Sequence, residues 1–148
     1  MKMIGKVICR LLTCTVFALA LAACRHDSNE ARVKAAIAAV AQAAEAGSAS
    51  DLGEPISEDF AGNDGELDRR SLTSMVRLLA LRGEPVGVTM GPVSIEQRGE
   101  RMVATFTVTL TSGGKFLPDQ MGIYQVESAW RQEDGEWRCY TATWKRSL

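Results

Sequence analysis

From Pro85 onward the apolar residues stop recurring every third or fourth position and begin to recur every second one, and that change of period constrains the fold most. Met102, Ala104, Phe106, Val108 and Leu110 alternate with Val103, Thr105, Thr107 and Thr109, the pattern of a half-buried strand. Before it, Val86, Val88 and Met90 alternate, Gly91-Pro92 interrupts, and Val93 and Ile95 resume. A Gly-Pro inside strand pattern predicts a bulge or an edge kink. Arg98-Gly99-Glu100 turns the chain, and after "TSGGKFLPDQMG" two last strands are expected over 123–132 and 136–146.

Ahead of Pro85 the period is helical. Asp27 with Glu30 has the form of a capping box, and Val33, Ile37, Val40 and Ala44 make one stripe before Gly47-Ser48 ends the helix. "DLGEPISEDF" (51–60) predicts a short turn of helix or a stub of strand. Asp68 caps a second helix whose face is Leu72, Met75, Val76 and Leu79, and Arg82-Gly83 closes it. Helices followed by a run of antiparallel strands describe an α+β domain, its N-terminal helices packed on one face of a curved antiparallel sheet.

The closing hairpin, "AWRQEDGEWRCYTATW", poses a register problem. A two-residue Asp134-Gly135 turn pairs Trp130 with Cys139 but sets Tyr140, Ala142 and Trp144 opposite Ala129, Glu127 and Gln125. A three-residue Glu133-Asp134-Gly135 loop, with Gly135 left-handed, puts Tyr124, Val126, Ser128 and Trp130 on one face with Arg138, Tyr140, Ala142 and Trp144. A one-residue slip exchanges faces, so the register that gathers the apolar residues, the three-residue loop, is expected.

These segments carry a resemblance. The helical 29–47, "EDFAGNDGELDRRSLTSMVRLL" and above all "AWRQEDGEWRCYTATW" resemble the nuclear transport factor 2-like superfamily, the cone-shaped fold of ketosteroid isomerase and polyketide-cyclase-like proteins. The likeness spans about residues 29–146, and its motifs are structural rather than catalytic. It implies a cone with a cavity between helices and sheet, and, in the superfamily's enzymes, acidic or histidine residues set among apolar walls.

The first residues carry Lys2, Lys6 and Arg10, then an apolar run from Leu11 to Leu21, then Ala22-Ala23. That is the grammar of an export signal, and the run is about half of the ~20 residues a membrane-spanning helix needs. Leu21-Ala22-Ala23-Cys24 resembles the bacterial lipobox, which implies diacylglycerol on the Cys24 thiol and cleavage before it. Arg25 after the cysteine, by the same resemblance, favours the outer membrane. The expected organisation is a signal peptide over 1–23, a tether over 24–28 and one domain over 29–148, facing the periplasm. Cys9 and Cys14 leave with the signal and Cys24 is alkylated, so Cys139 is the one thiol left; a disulfide and a cysteine metal cluster are excluded. The chain has 17 basic and 18 acidic residues, and three basic ones leave with the signal, so the acidic remainder does not suit nucleic acid.

Chemistry-bearing residues are few. His26, the single histidine, falls in the tether, and Ser71 and Ser74 have no base nearby in sequence. Around Gly65 a calcium loop would need oxygen ligands where Phe60 and Gly62 stand. No cofactor and no metal are expected. Glu58 and Asp59 are the remaining acid/base candidates, because superfamily members place acids near there. Phe106, Tyr124, Val126, Trp130, Tyr140 and Trp144 form the expected ligand-binding face, with Glu127 on the other side, and Phe116 and Leu117 are expected at a pocket lip or partner contact. The preferred reading is a lipid-anchored, non-catalytic module binding a small hydrophobic ligand. The alternative is a protein-interaction part, an envelope-assembly accessory or an effector inhibitor, with a periplasmic protein or a second copy as partner. An isomerase- or cyclase-type enzyme ranks third.

Overall fold

Ser28 opens the first helix, α1 (Asn29–Ala46): its side chain accepts the amide of Ala31 at 3.1 Å. The cap is therefore Ser28 and not Asp27, one residue later than the capping-box pattern indicated. This computed structural model describes residues 27–112 and 122–147, so the leader, Cys24, His26, Phe116 and Leu117 lie outside the described residues. Both alternatives for 51–60 are realised in succession, as a short helix α2 (Ala49–Gly53) and a strand β1 (Ile56–Gly62). A tight 3-10 turn over Asn63–Gly65 and the two-residue β2 (Leu67–Asp68) lead into α3 (Arg69–Leu81). Asp68 caps α3 by accepting the Ser71 amide at 2.7 Å, as expected.

The strands that follow are β3 (Val86–Met90), β4 (Ser94–Arg98), β5 (Arg101–Ser112), β6 (Gly122–Glu133) and β7 (Glu136–Arg146). The sheet order is β2-β1-β7-β6-β5-β3, and β4 also pairs β5. The pairing of β3 and β4 on one partner explains the Gly91-Pro92 interruption. Met90 lies opposite Val108 and Ser94 opposite Thr105, so one extra residue is accommodated there as a bulge. One expectation needs amending: the sheet is mixed, because β1 runs parallel to β7. Proline carbonyl and cysteine amide begin that pairing, with Cys139 N–H donating to Pro55 O at 2.8 Å.

The hairpin solves its register problem with a device other than the expected loop. The turn is the two-residue Asp134-Gly135, both at positive φ (51° and 81°), with Glu133 opposite Glu136. Trp130 thus pairs Cys139, but the next pair is Ala129 with Thr141, and from there Ser128 meets Ala142 and Val126 meets Trp144. A bulge at Tyr140 supplies the one-residue shift that the three-residue loop was expected to supply. The faces of Val126, Ser128, Ala142 and Trp144 come out as predicted. Arg138 and Tyr140 do not, because they lie before and on the bulge.

Across β5, β6 and β7 the inward residues form rows. Met102, Trp130 and Cys139 make the first, Ala104, Ser128 and Ala142 the second, and Phe106, Val126 and Trp144 the third. The first row packs with Val33, Ile37, Ile56, Phe60 and Trp137 into the buried core. Ala43, Leu52 and Val76 form a second cluster between the three helices. The third row is only half-buried, so the domain is packed at the hairpin end and opens toward the other.

Candidate functional site

At that open end the sheet and helices diverge around a cavity of about 620 Å³. Its sheet wall comes from alternate residues of β3, β5, β6 and β7, among them Val88, Phe106, Val126 and Trp144. Ile37 and Val40 of α1, with Leu72, Met75 and Leu79 of α3, face them. Toward the packed end the cavity is bounded by Trp130, Ser128 and Ala142, whereas Ala104, in the same row as Ser128 and Ala142, is fully buried in the core.

Phe106, Tyr124, Val126, Trp130 and Trp144, all expected on the ligand face, line this cavity. Tyr140 does not. The bulge turns it to the opposite face, where its ring sits 4.9 Å from the Arg131 guanidinium and its hydroxyl accepts from Arg101 Nη1 at 3.5 Å. Glu127, opposite Thr105 and Thr143, is exposed and outside the cavity, as expected.

Glu58 and Asp59, the acid/base candidates, also stand outside it. Glu58 is bound at 2.6 Å by Arg69, whose Nε and Nη2 also hold the Gly53 carbonyl, so this acid pins α3 to β1. Asp59 belongs to a cluster on the outer face with Ser57, Arg131 and Glu133. The Ser57 hydroxyl lies 2.7 Å from Asp59 Oδ1 and 2.5 Å from Glu133 Oε1, so one proton serves two carboxylates. Arg131 donates to Asp59 at 2.7 Å and to Glu133 at 2.8 Å. The Arg131 bond, with that from Ser57, holds the Asp59 carboxyl below its ordinary range; the Ser57 bond, with Arg131, does the same for Glu133. Both acids are thereby kept ionised as ion-pair partners, the wrong state for a proton donor.

Polar atoms at the cavity are sparse. Asn63 Oδ1 accepts the Trp144 amide at 2.9 Å, Trp130 Nε1–H donates to Ser128 Oγ at 2.9 Å, and Glu66 is exposed. Burial pushes the Cys139 thiol up to about 12, so it lines the cavity as an inert apolar group. Among the described residues no three His, Cys, Asp or Glu gather as a metal-ligand group. Ser128 and Asn63 were not among the candidate residues. Ser128 was legible on the face of Val126 and Trp130; Asn63 was not, since only the turn after β1 brings it to Trp144.

Neither a family model nor a curated protein matches this sequence. Solved structures do. A nuclear transport factor 2-like protein from Cytophaga hutchinsonii superposes with a TM-score of 0.67 at 10% identity, over 81% of this chain and 99% of that one. The fold is the nuclear transport factor 2-like cone. A nuclear transport factor 2-like protein with a cystatin-like fold from Novosphingobium aromaticivorans matches at TM-score 0.61 and 17% identity, over 92% and 88% of the two chains. A nuclear transport factor 2-like protein of unknown function from Pseudomonas putida matches at 0.62 and 15%, over 80% and 87%. At these identities the likeness carries the cone and no chemistry.

Proposed function

We propose that this protein is a lipid-anchored envelope protein whose nuclear transport factor 2-like domain holds a small hydrophobic molecule without transforming it. The observation that supports this most is the apolar cavity of about 620 Å³, which is within the usual size of small-molecule sites, roughly 300–1,000 Å³. An isomerase or cyclase would need an acid or base on the inner wall. Glu58 and Asp59 are ion-paired outside it, and Glu66, the one acid in its lining among the described residues, is exposed to solvent, which favours binding over catalysis. N-phenyl-1-naphthylamine should bind saturably, one molecule per chain, with quenching of tryptophan emission through Trp144. Absence of saturable binding would overturn this reading.

The anchor rests on Leu21-Ala22-Ala23-Cys24. Each buried methylene of an acyl chain contributes about 0.8 kcal/mol, so two or more chains on one cysteine hold a domain stably at a bilayer. Intact-mass analysis of detergent-extracted protein should show loss of residues 1–23 and gain of acyl mass, and Cys24→Ala should abolish both. An unmodified Cys24 in the mature protein would exclude lipid attachment.

A protein partner is the second reading. It is favoured by Leu81 and Leu78 on α3, which are 80% and 47% exposed, an unusual placement for large apolar side chains one turn apart.

A further inference from the structure

The cavity is apolar, yet one buried hydroxyl stands in its wall with a proton to give. Ser128 is only 4% exposed, and its Oγ already accepts the Trp130 indole N–H at 2.9 Å. A serine hydroxyl has one donor and two acceptor sites, so accepting from Trp130 leaves the proton free to point elsewhere. Among the described residues no acceptor takes it. The Cys139 thiol, in the neighbouring row of the sheet, is turned to the Thr141 carbonyl at 3.4 Å.

Position makes this donor accessible to a ligand. On the neighbouring strands Ser128 is flanked by Ala104 and Ala142, too short to cover it, and both Ser128 and Ala142 line the cavity. Trp130 holds the Ser128 oxygen from the packed end, which leaves the hydroxyl proton free to turn toward an acceptor in the cavity. A buried donor without an acceptor is costly, and a ligand that supplies one recovers that cost.

Resting on the binding reading above, we infer that the cavity selects uncharged, hydrophobic molecules bearing a single acceptor oxygen, a ketone, aldehyde, ester or ether, which Ser128 holds by its hydroxyl proton. An anionic group is disfavoured there, because among the described residues no basic side chain lines the cavity, and the one acid in its lining, Glu66, is exposed to solvent rather than set among the apolar walls. Ser128 is thus a specificity-determining residue.

Two probes of matched shape test this, 2-acetylnaphthalene and 2-ethylnaphthalene, each displacing N-phenyl-1-naphthylamine from the full chain. Ser128→Ala should weaken the acetyl compound roughly three- to tenfold, the worth of one net hydrogen bond, and leave the ethyl compound within about twofold. Because Ser128→Ala leaves the Trp130 N–H without its acceptor, the pair Ser128→Ala with Trp130→Phe is measured too, and should show the same selective loss. Equal change for both probes, or no change for either, would overturn the role of Ser128 while leaving the binding reading intact. Failure of both probes to displace a saturably bound fluorophore from the unmodified protein would overturn the acceptor preference alone, whereas absence of saturable fluorophore binding would overturn the two together.

Discussion

Trp130→Ala should cost about 3–5 kcal/mol of unfolding free energy and Trp144→Ala only about 1–2 kcal/mol, although both remove an indole from the same face of the sheet. Trp130 is 2% exposed and packs in the buried core with Met102 and Cys139. Removing it opens a new void, and the loss of contacts on all sides adds to the lost burial. Trp144 is half-buried and borders space that is already empty. Its removal enlarges a void instead of creating one, so the cavity part of the cost largely falls away. Urea unfolding followed by far-ultraviolet circular dichroism measures both without depending on the altered fluorophores. Equal large losses would mean that the open end is packed and that the cavity is not available to a ligand.

Gly62→Val should destabilise the protein by about 1–3 kcal/mol and also weaken probe binding. The backbone there is extended (φ −99°, ψ 137°), so valine meets no conformational objection. The obstacle is space. A β-carbon on Gly62 would come within 2.7 Å of the Trp144 ring and 3.2 Å of the Leu67 carbonyl oxygen. The backbone oxygen cannot yield cheaply, so the indole must swing into the cavity that it now borders. Stability and affinity should then fall together. Adding Trp144→Ala to Gly62→Val should recover most of the stability, a coupling that only direct contact between the two sites would produce. Additive losses in the double variant would show that the indole does not sit over Gly62.

The Glu133–Glu136 turn shows how far local signals reach. Asp134-Gly135 is the dipeptide a tight hairpin turn prefers, since both positions take positive φ, and the structure uses that turn. The argument from burial, that Val126, Ala142 and Trp144 must share a face, was equally sound. The two demands are out of step by one residue. Choosing a longer loop was one way to reconcile them; the chain instead keeps the tight turn and bulges at Tyr140. Nothing in the hairpin's own residues marks Tyr140 for this role. Outside the hairpin, the residue after the bulge is held by β1, where the Thr141 hydroxyl donates to the Ala61 carbonyl at 2.9 Å, and within it Arg131 lies over the Tyr140 ring.

Glu58 and Asp59 mark the same boundary. As a pair of acids near the end of the second helical element they are reasonable candidates, and only their partners show otherwise. Arg69 lies eleven positions from Glu58 and Arg131 seventy-two from Asp59. No spacing rule within one helix or strand connects such residues.

Periodicity and short-range chemistry made much of this fold readable from the residues alone. The helical stripes of the first and third helices, the Ser128–Trp130 face, the Asp68 cap and the Gly91-Pro92 interruption all depend on residues within a few positions of one another. Long-range packing set the parallel seat of β1 on β7, the bulge at Tyr140, the ion-paired fate of Glu58 and Asp59, and the extent of the cavity that the resemblance implied. Ile37, Leu72, Phe106 and Trp144 come from two helices and two strands far apart in the chain, and they face one space only because packing and strand register bring those elements together.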